Sequence, residues 1–216
     1  MSYKLALFDM DGTVLDTLQD LADATNAVMV LHGYPTHSTE AVRGFVGNGA
    51  LKLIENAVPT GTDSQKIQAV LADFKTYYGQ HNAHATKPYA GVPEMLRALR
   101  AAGVRTAVVS NQPDFAVKAL AKQYFPGLFD MAVGDREGVQ KKPAPDSVFE
   151  AMRVLGYGAD ETVYIGDSDV DVETAKNAHV DGIFVDWGFR SVQTLRESGA
   201  KVIVSSPADI TARILQ

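Results

Sequence analysis

The feature that most constrains this chain is a series of short, nearly unbroken apolar runs, each closed by polar residues. "LALF" (Leu5–Phe8) runs into "DMDGT", and "VRTAVVS" (Val104–Ser110), "TVYIGD" (Thr162–Asp167), "GIFVDWG" (Gly182–Gly188) and "KVIVSS" (Lys201–Ser206) repeat the form. "FDMAVGD" (Phe129–Asp135) repeats it more weakly. A strand with one wet face alternates apolar with polar residues; a strand covered on both faces does not. Helical patterns lie between the runs, such as "PEMLRALRAAG", with Pro93 suited to a first helical turn and Gly103 to a C-terminal stop. Strands alternating with helices predict an α/β fold with a doubly wound parallel sheet.

One interval breaks the rhythm. About ninety residues separate the first run from the second, far more than one crossover helix needs. Leu18, Leu21, Ala22, Thr25, Val28 and Met29 fall at helical spacing, and "EAVRGFVGNGALKLIENAV" and "SQKIQAVLADFKTYYGQH" read as further helices. The sequence predicts an all-helical insertion over residues 16–84, with residues 1–15 and 85–216 forming the sheet domain. A chain of 216 residues, 46% hydrophobic, suits one core-bearing unit with a small accessory one.

Composition narrows the partners. A net charge of −6 gives no general attraction for nucleic acid or an anionic membrane, and neither is expected as a partner. With no cysteine there is no disulfide, thiolate metal site or cysteine nucleophile. The apolar run at the start is too short for a signal peptide and no later run is long enough to span a bilayer, so a soluble, cytoplasmic protein is expected, as monomer or homodimer.

In an open parallel sheet, ligands bind beyond the carboxyl ends of the strands. Polar residues gather at those ends: Asp9 and Asp11 after the first strand, Ser110 and Asn111 at the second, and Asp167, Asp169 and Asp171 in "GDSDVD". Lys142, in "KKPAP", follows another candidate strand. One such residue is ordinarily a helix cap and one lysine ordinarily a solvated charge. His81 and His84, three apart in a polar stretch, read as surface residues. Trp187 and Phe189 read as packing or loop contacts unless their loop borders a cavity.

The ordered set "DMDGT", "SN", "KP" and "GDSDVD" resembles the four motifs of the haloacid dehalogenase superfamily, and the resemblance covers nearly the whole chain. It is similar to the phosphatase branch with a helical cap after the first motif, and "RGFVGNGALKLI" resembles the cap of phosphoglycolate phosphatases. The resemblance implies a Rossmann-like core with an inserted helical cap domain. It implies a magnesium-dependent phosphomonoester hydrolase for small phosphorylated metabolites, phosphoglycolate among them. Asp9 is then the nucleophile that becomes an aspartyl phosphate, and Asp11 the general acid and base. Asp9 and Asp167, with the backbone carbonyl of Asp11, hold Mg2+, while Asp171 stands behind them holding a metal-bound water or Lys142. Lys142, Ser110 and Asn111 hold the transferring oxygens, and Thr13 orders the turn beside the phosphate. Lys141 is the rival for the lysine role, but the motif puts the ammonium directly before the proline. Arg43 and Asn48, flanking "GFVG", are the candidates for the substrate's distal group.

Two departures bear on this reading. Gln112 follows "SN" where many phosphoglycolate phosphatases carry lysine, and His179 stands where the family usually has glycine, a left-handed position that histidine tolerates. A β-phosphoglucomutase-like sugar-phosphate mutase and a non-catalytic binding protein on the same fold are the alternatives. Phosphonate hydrolysis would need an imine-forming lysine, for which Lys52, Lys66 and Lys75 qualify by location only.

Overall fold

Each apolar run named above becomes a strand. The computed structural model describes residues 3–216. Its main sheet holds β1 (Leu5–Phe8), β4 (Arg105–Pro113), β5 (Met131–Asp135), β6 (Thr162–Gly166), β7 (Asp181–Val185) and β8 (Ile203–Val204). All pairings are parallel, in the order β5-β4-β1-β6-β7-β8. The remaining strands, β2 (Leu15–Asp16) and β3 (Lys87–Pro88), pair antiparallel beside it.

β1 lies between β4 and β6, with Leu7 opposite both Ala107 and Tyr164. Its residues alternate between two cores. Ala6 and Phe8 face a cluster with α5 (Val92–Ala101), α6 (Asp114–Tyr124) and α10 (Pro207–Leu215). Leu5 and Leu7 face one with α7 (Asp146–Leu155), α8 (Asp169–Asn177) and α9 (Val192–Glu197). Both faces are dry, which is why the run carries no polar alternation. Deleting most of a fully buried ring such as Phe8 costs about 3–5 kcal/mol through lost transfer energy and the cavity left behind.

Between β2 and β3 lie α1 (Leu18–Leu31), α2 (Thr39–Phe45), α3 (Gly49–Ala57) and α4 (Ser64–His81). They pack around a core of their own, with Val28, Met29, Leu53, Ile54, Val70 and Phe74 at its centre. Helix starts follow the capping rule: Ser38 and Asp63 accept from backbone amides of α2 and α4. The buried Asp20 carboxylate accepts from the amides of Ala85 and Thr86, fixing the point where the chain leaves the helices. His179 is the one non-glycine residue with positive φ among the described residues, at 55°.

The sheet differs from the sequence reading at one place that matters. β4 does not stop at Ser110 but continues through Asn111 and Gln112 to Pro113, which pairs with Asp135 after an irregularity in register. Pairing with β5 resumes beyond the shift, so the polar residues sit within the strand's tip rather than in a loop.

Candidate active site

The carboxyl ends of the three adjacent strands β4, β1 and β6 meet, and the polar residues meet with them. The Asp9 amide donates to the Ile165 carbonyl at 2.8 Å, extending the ladder one residue past β1 before the chain turns. Gly12 makes the turn at φ +81°, and a Cβ there would lie 2.3 Å from Asp167 Oδ2. Gly188 faces the same carboxylate from the other side, where a Cβ would lie 2.2 Å from the Asp167 Cβ. Any side chain at either position would displace Asp167.

Lys142 ties the cluster together. It reaches in from the loop before α7, and its Nζ lies 2.8 Å from Asp9 Oδ1 and 2.8 Å from Asp171 Oδ1, and donates to the Tyr164 hydroxyl at 3.0 Å. Lys141 is exposed on the surface. Asp171 accepts from five donors: Lys142, the Tyr164 hydroxyl, the amides of Asp167 and Ser168, and the Ser168 hydroxyl. It also completes a capping box with Ser168 at the start of α8, so the helix cap fixes the lysine's partner.

Asp9 and Asp167 accept fewer bonds. Asp9 Oδ1 accepts from the Met10 amide at 2.7 Å, while Asp167 accepts from the Thr13 hydroxyl at 3.0 Å and the Phe189 amide at 2.7 Å. The Asp11 carboxylate accepts from the Thr17 hydroxyl at 2.5 Å and from the Gln112 amide, both on Oδ1. Ser110 and Asn111 are buried; the Asn111 amide nitrogen donates to the carbonyls of Gly47 and Lys142.

The electrostatics follow from four buried carboxylates around one ammonium. Burial, then the charge of Asp171, lifts the Asp9 carboxyl well above its usual range despite Lys142. The same two causes lift Asp167 to about 7. Burial also raises Asp11, against the bonds from Thr17 and Gln112. Asp171 is the exception, because the Lys142 charge and its several donors outweigh burial and hold it low. Burial opposes the Lys142 charge, but Asp171 and Asp9 hold it well above the ordinary value.

A site with this surplus of negative charge fits a hard cation. One carboxylate oxygen from each of Asp9, Asp167 and Asp171 lies within 4.8 Å of the others, and every donor is oxygen, the set that hard divalent ions prefer. Asp171 accepts five bonds, while Asp167 accepts one on each oxygen and Asp9 only on Oδ1, so these two keep acceptor capacity for an ion.

Above this floor is a partly open cavity bounded by the carboxylates, Lys142 and the residues above them. Its roof comes from the helical insertion: Leu21, Val46, Ala50, Leu53, Phe74 and Tyr78. Phe189 and Arg190 close one side, so the loop after β7 does border the cavity, while Trp187 donates instead to the Thr13 carbonyl. His81 stacks on Tyr77 and bonds its carbonyl, away from the cavity lining.

Three residues expected from the sequence take the following positions. Arg43 does not line the cavity, because α2 turns it back onto Glu40 at 3.2 Å, one helical turn away. Asn48 is exposed and also outside the lining. Thr13 spends its hydroxyl on Asp167 and so acts on the carboxylate from behind. Besides Lys142, the cationic side chain that reaches the lining from the core is Arg190, which the sequence reading does not single out. The rule that strand ends carry the site, applied to "GIFVDWGFR" as it was to β1, β4 and β6, points to it.

Comparison with known proteins agrees with this arrangement. The family model for haloacid dehalogenase-like hydrolases matches residues 6–185. The phosphoglycolate phosphatase of Pseudomonas syringae pv. tomato is 32% identical over 208 residues, covering 93% of this chain and 76% of that protein. The N-acetylmuramic acid 6-phosphate phosphatase of Pseudomonas aeruginosa is 31% identical, covering 97% of this chain and 94% of its own length. A crystal structure from Lactobacillus delbrueckii subsp. bulgaricus, assigned to the phosphoglycolate phosphatases, superposes with a TM-score of 0.94 at 39% identity, over 100% of this chain and 99% of that one.

Proposed function

The chain belongs to the haloacid dehalogenase-like hydrolase family and is a phosphatase; from that premise we propose that it hydrolyses small phosphorylated metabolites with Mg2+, through an aspartyl phosphate on Asp9. The observation that carries the reading is the ammonium of Lys142 fixed between Asp9 and Asp171 on the cavity floor. A lone lysine there would merely neutralise charge. One held 2.8 Å from the proposed nucleophile is placed to receive the oxygens of a phosphoryl group arriving at that nucleophile.

In this reading Asp9 attacks phosphorus as the bond to the substrate's bridging oxygen breaks. Asp11 gives its proton to the departing alkoxide, then takes one from the water that attacks the aspartyl phosphate, and inorganic phosphate leaves with Asp9 restored. Ser110, the Asn111 backbone amide and Lys142 hold the transferring oxygens, and Asp171 positions Lys142. Asp9 and Asp167, with the Asp11 carbonyl, would hold the magnesium, which when bound offsets the charge that otherwise sets phosphate against these carboxylates. Residues 16–84 act as a cap whose apolar underside keeps bulk water from the first displacement. Among the described residues no helix is long and apolar enough to cross a membrane, and the cytoplasm is the proposed compartment.

Phosphoglycolate is a candidate substrate through the names its relatives bear. The test is phosphate release from a panel of phosphorylated metabolites and p-nitrophenyl phosphate, with magnesium and with chelator, for the native chain and Asp9→Asn. Turnover that needs both magnesium and Asp9 is the expected result; turnover that survives Asp9→Asn refutes the mechanism.

A further inference from the structure

Asp11 has two carboxyl oxygens, and its neighbours treat them differently. Both of its side-chain donors, the Thr17 hydroxyl and the Gln112 amide nitrogen, reach the same oxygen, Oδ1. Oδ2 receives neither. Thr17 stands directly before α1, while Gln112 arrives from the tip of β4, 101 residues along the chain.

Gln112 is built into this place. It is buried, and its backbone amide donates to the Ser110 hydroxyl at 3.2 Å. Its carbonyl passes so close to Gly134 in β5 that a Cβ on that glycine would lie 2.4 Å from it, and the Gly134 amide donates to the Asp114 carboxylate at 3.0 Å. From the helical insertion, the buried Tyr78 of α4 shares a hydrogen bond with the Gln112 side chain. The sheet therefore fixes the backbone that carries the amide, and a helix of the insertion fixes its far end.

A protonated carboxyl donates through one oxygen and accepts through the other. An oxygen that already receives an O–H and an N–H is the accepting one, because a proton placed on it would point into those donors. The proton then belongs to Oδ2, and once it has left, the same oxygen offers a lone pair to water. Neither donor is charged, so Oδ1 is held without pairing Asp11 as an ion.

We propose that Gln112 is a positioning residue for the general acid: with Thr17 it reserves Oδ1 as acceptor, so that Oδ2 hands its proton to the substrate's bridging oxygen as the bond from that oxygen to phosphorus breaks. This rests on the phosphatase reading above and on the role it gives Asp11. A side chain that only filled space there would not distinguish the two oxygens.

The test uses a leaving group that needs no proton. p-Nitrophenolate departs unaided, whereas the alkoxide of 2-phosphoglycolate or glycerol 3-phosphate departs with a proton. The measurement is kcat/KM with magnesium on p-nitrophenyl phosphate and on the faster of the two alkyl phosphates; it ends with departure of the leaving group, so hydrolysis of the aspartyl phosphate does not enter. Asp11→Asn sets the scale, losing about a hundredfold or more on the alkyl phosphate and far less on the nitrophenyl ester. Gln112→Met keeps the shape and removes the donor; it should cost about tenfold on the alkyl phosphate and less than about threefold on the nitrophenyl ester. Thr17→Val takes the other donor from Oδ1 and should show the same selective loss, which keeps the test open if Gln112→Met does not fold. Equal losses on the two substrates, or no loss in either variant, overturn the inference. If Asp11→Asn is itself unselective, Asp11 is not the acid and the inference falls with that assignment. If neither ester releases phosphate from the native chain, the phosphatase reading fails first.

Discussion

On the floor of the cavity every charged side chain is fixed by named partners, five of them on Asp171 alone; the roof is almost entirely apolar and is held to the floor by a few bonds to its own carbonyls. The floor sits at the tips of three buried strands, where a shift of one residue would break the sheet pairing. The roof sits on helices with a core of their own. The first can be changed only at the expense of the reaction or the fold, the second at the expense of fit. This difference teaches where chemistry and choice are stored.

The strongest way to break the comparison is to remove the proposed nucleophile. Asp9→Asn should cut phosphate release by about a thousandfold or more, with the thermal midpoint retained. A loss of less than tenfold would show that the floor does not hold the chemistry. Next is Lys142→Met, which strands two buried carboxylates and should cost about 3–5 kcal/mol in denaturant unfolding as well as activity. Adding Asp171→Leu to that variant should return much of the stability and none of the turnover, which separates the pair's structural role from its catalytic one.

A third test sharpens the electrostatic side. Asp167 is lifted to about 7 by burial and by Asp171, from an ordinary value of 3.8. A carboxyl raised in the fold favours the fold while protonated; that stability is whole below 3.8 and is lost as pH rises through about 7. With chelator present, the unfolding midpoint should therefore fall between pH 5 and pH 8. Magnesium at a hundred times its dissociation constant adds about 2.7 kcal/mol, and the gain should be smaller at pH 5 because protons compete for the ligands. A midpoint flat in pH with chelator would contradict the charge surplus.

The smallest effects belong to the roof. Arg190→Ala releases two carbonyls of the α2 end and should lower unfolding stability by about 1.5–3 kcal/mol, the scale of one hydrogen bond to a charged group, while raising KM as the roof loosens over the floor. Arg43→Ala, whose side chain meets Glu40 at the surface, should change kcat/KM by less than about twofold. A larger effect from Arg43 than from Arg190 would reverse the assignment of the distal wall.

The same division explains what could be read from the sequence. The sheet was legible because strands dry on both faces have no polar alternation, and Asp9, Asp11, Lys142 and Asp167 because strand ends are where an α/β sheet can present them. Asp171 was legible as a residue behind the others, although its double duty as helix cap was not. Arg43 and Asn48 lie outside the lining, which spacing could not give, because the direction of each side chain beside a helix is left to packing. Arg190 and Tyr78 were passed over for the same reason: one meets the insertion across more than a hundred residues of chain, and the other is one tyrosine in a helix whose buried face only the fold defines. Gln112 was noticed as a departure, but its bond to Asp11 depends on β4 running on past Ser110.

The antiparallel pairing of β2 with β3 sets Leu15 opposite Pro88 and Asp16 opposite Lys87. To the sheet, the about seventy residues between them are a closed loop, and because closure entropy grows only with the logarithm of length, the sheet feels little of how many residues the loop holds or how they are arranged. The helical unit is in that sense a cassette: its entry and exit are clasped in one short ladder, so its interior can be lengthened, shortened or exchanged while the strands on either side keep their register.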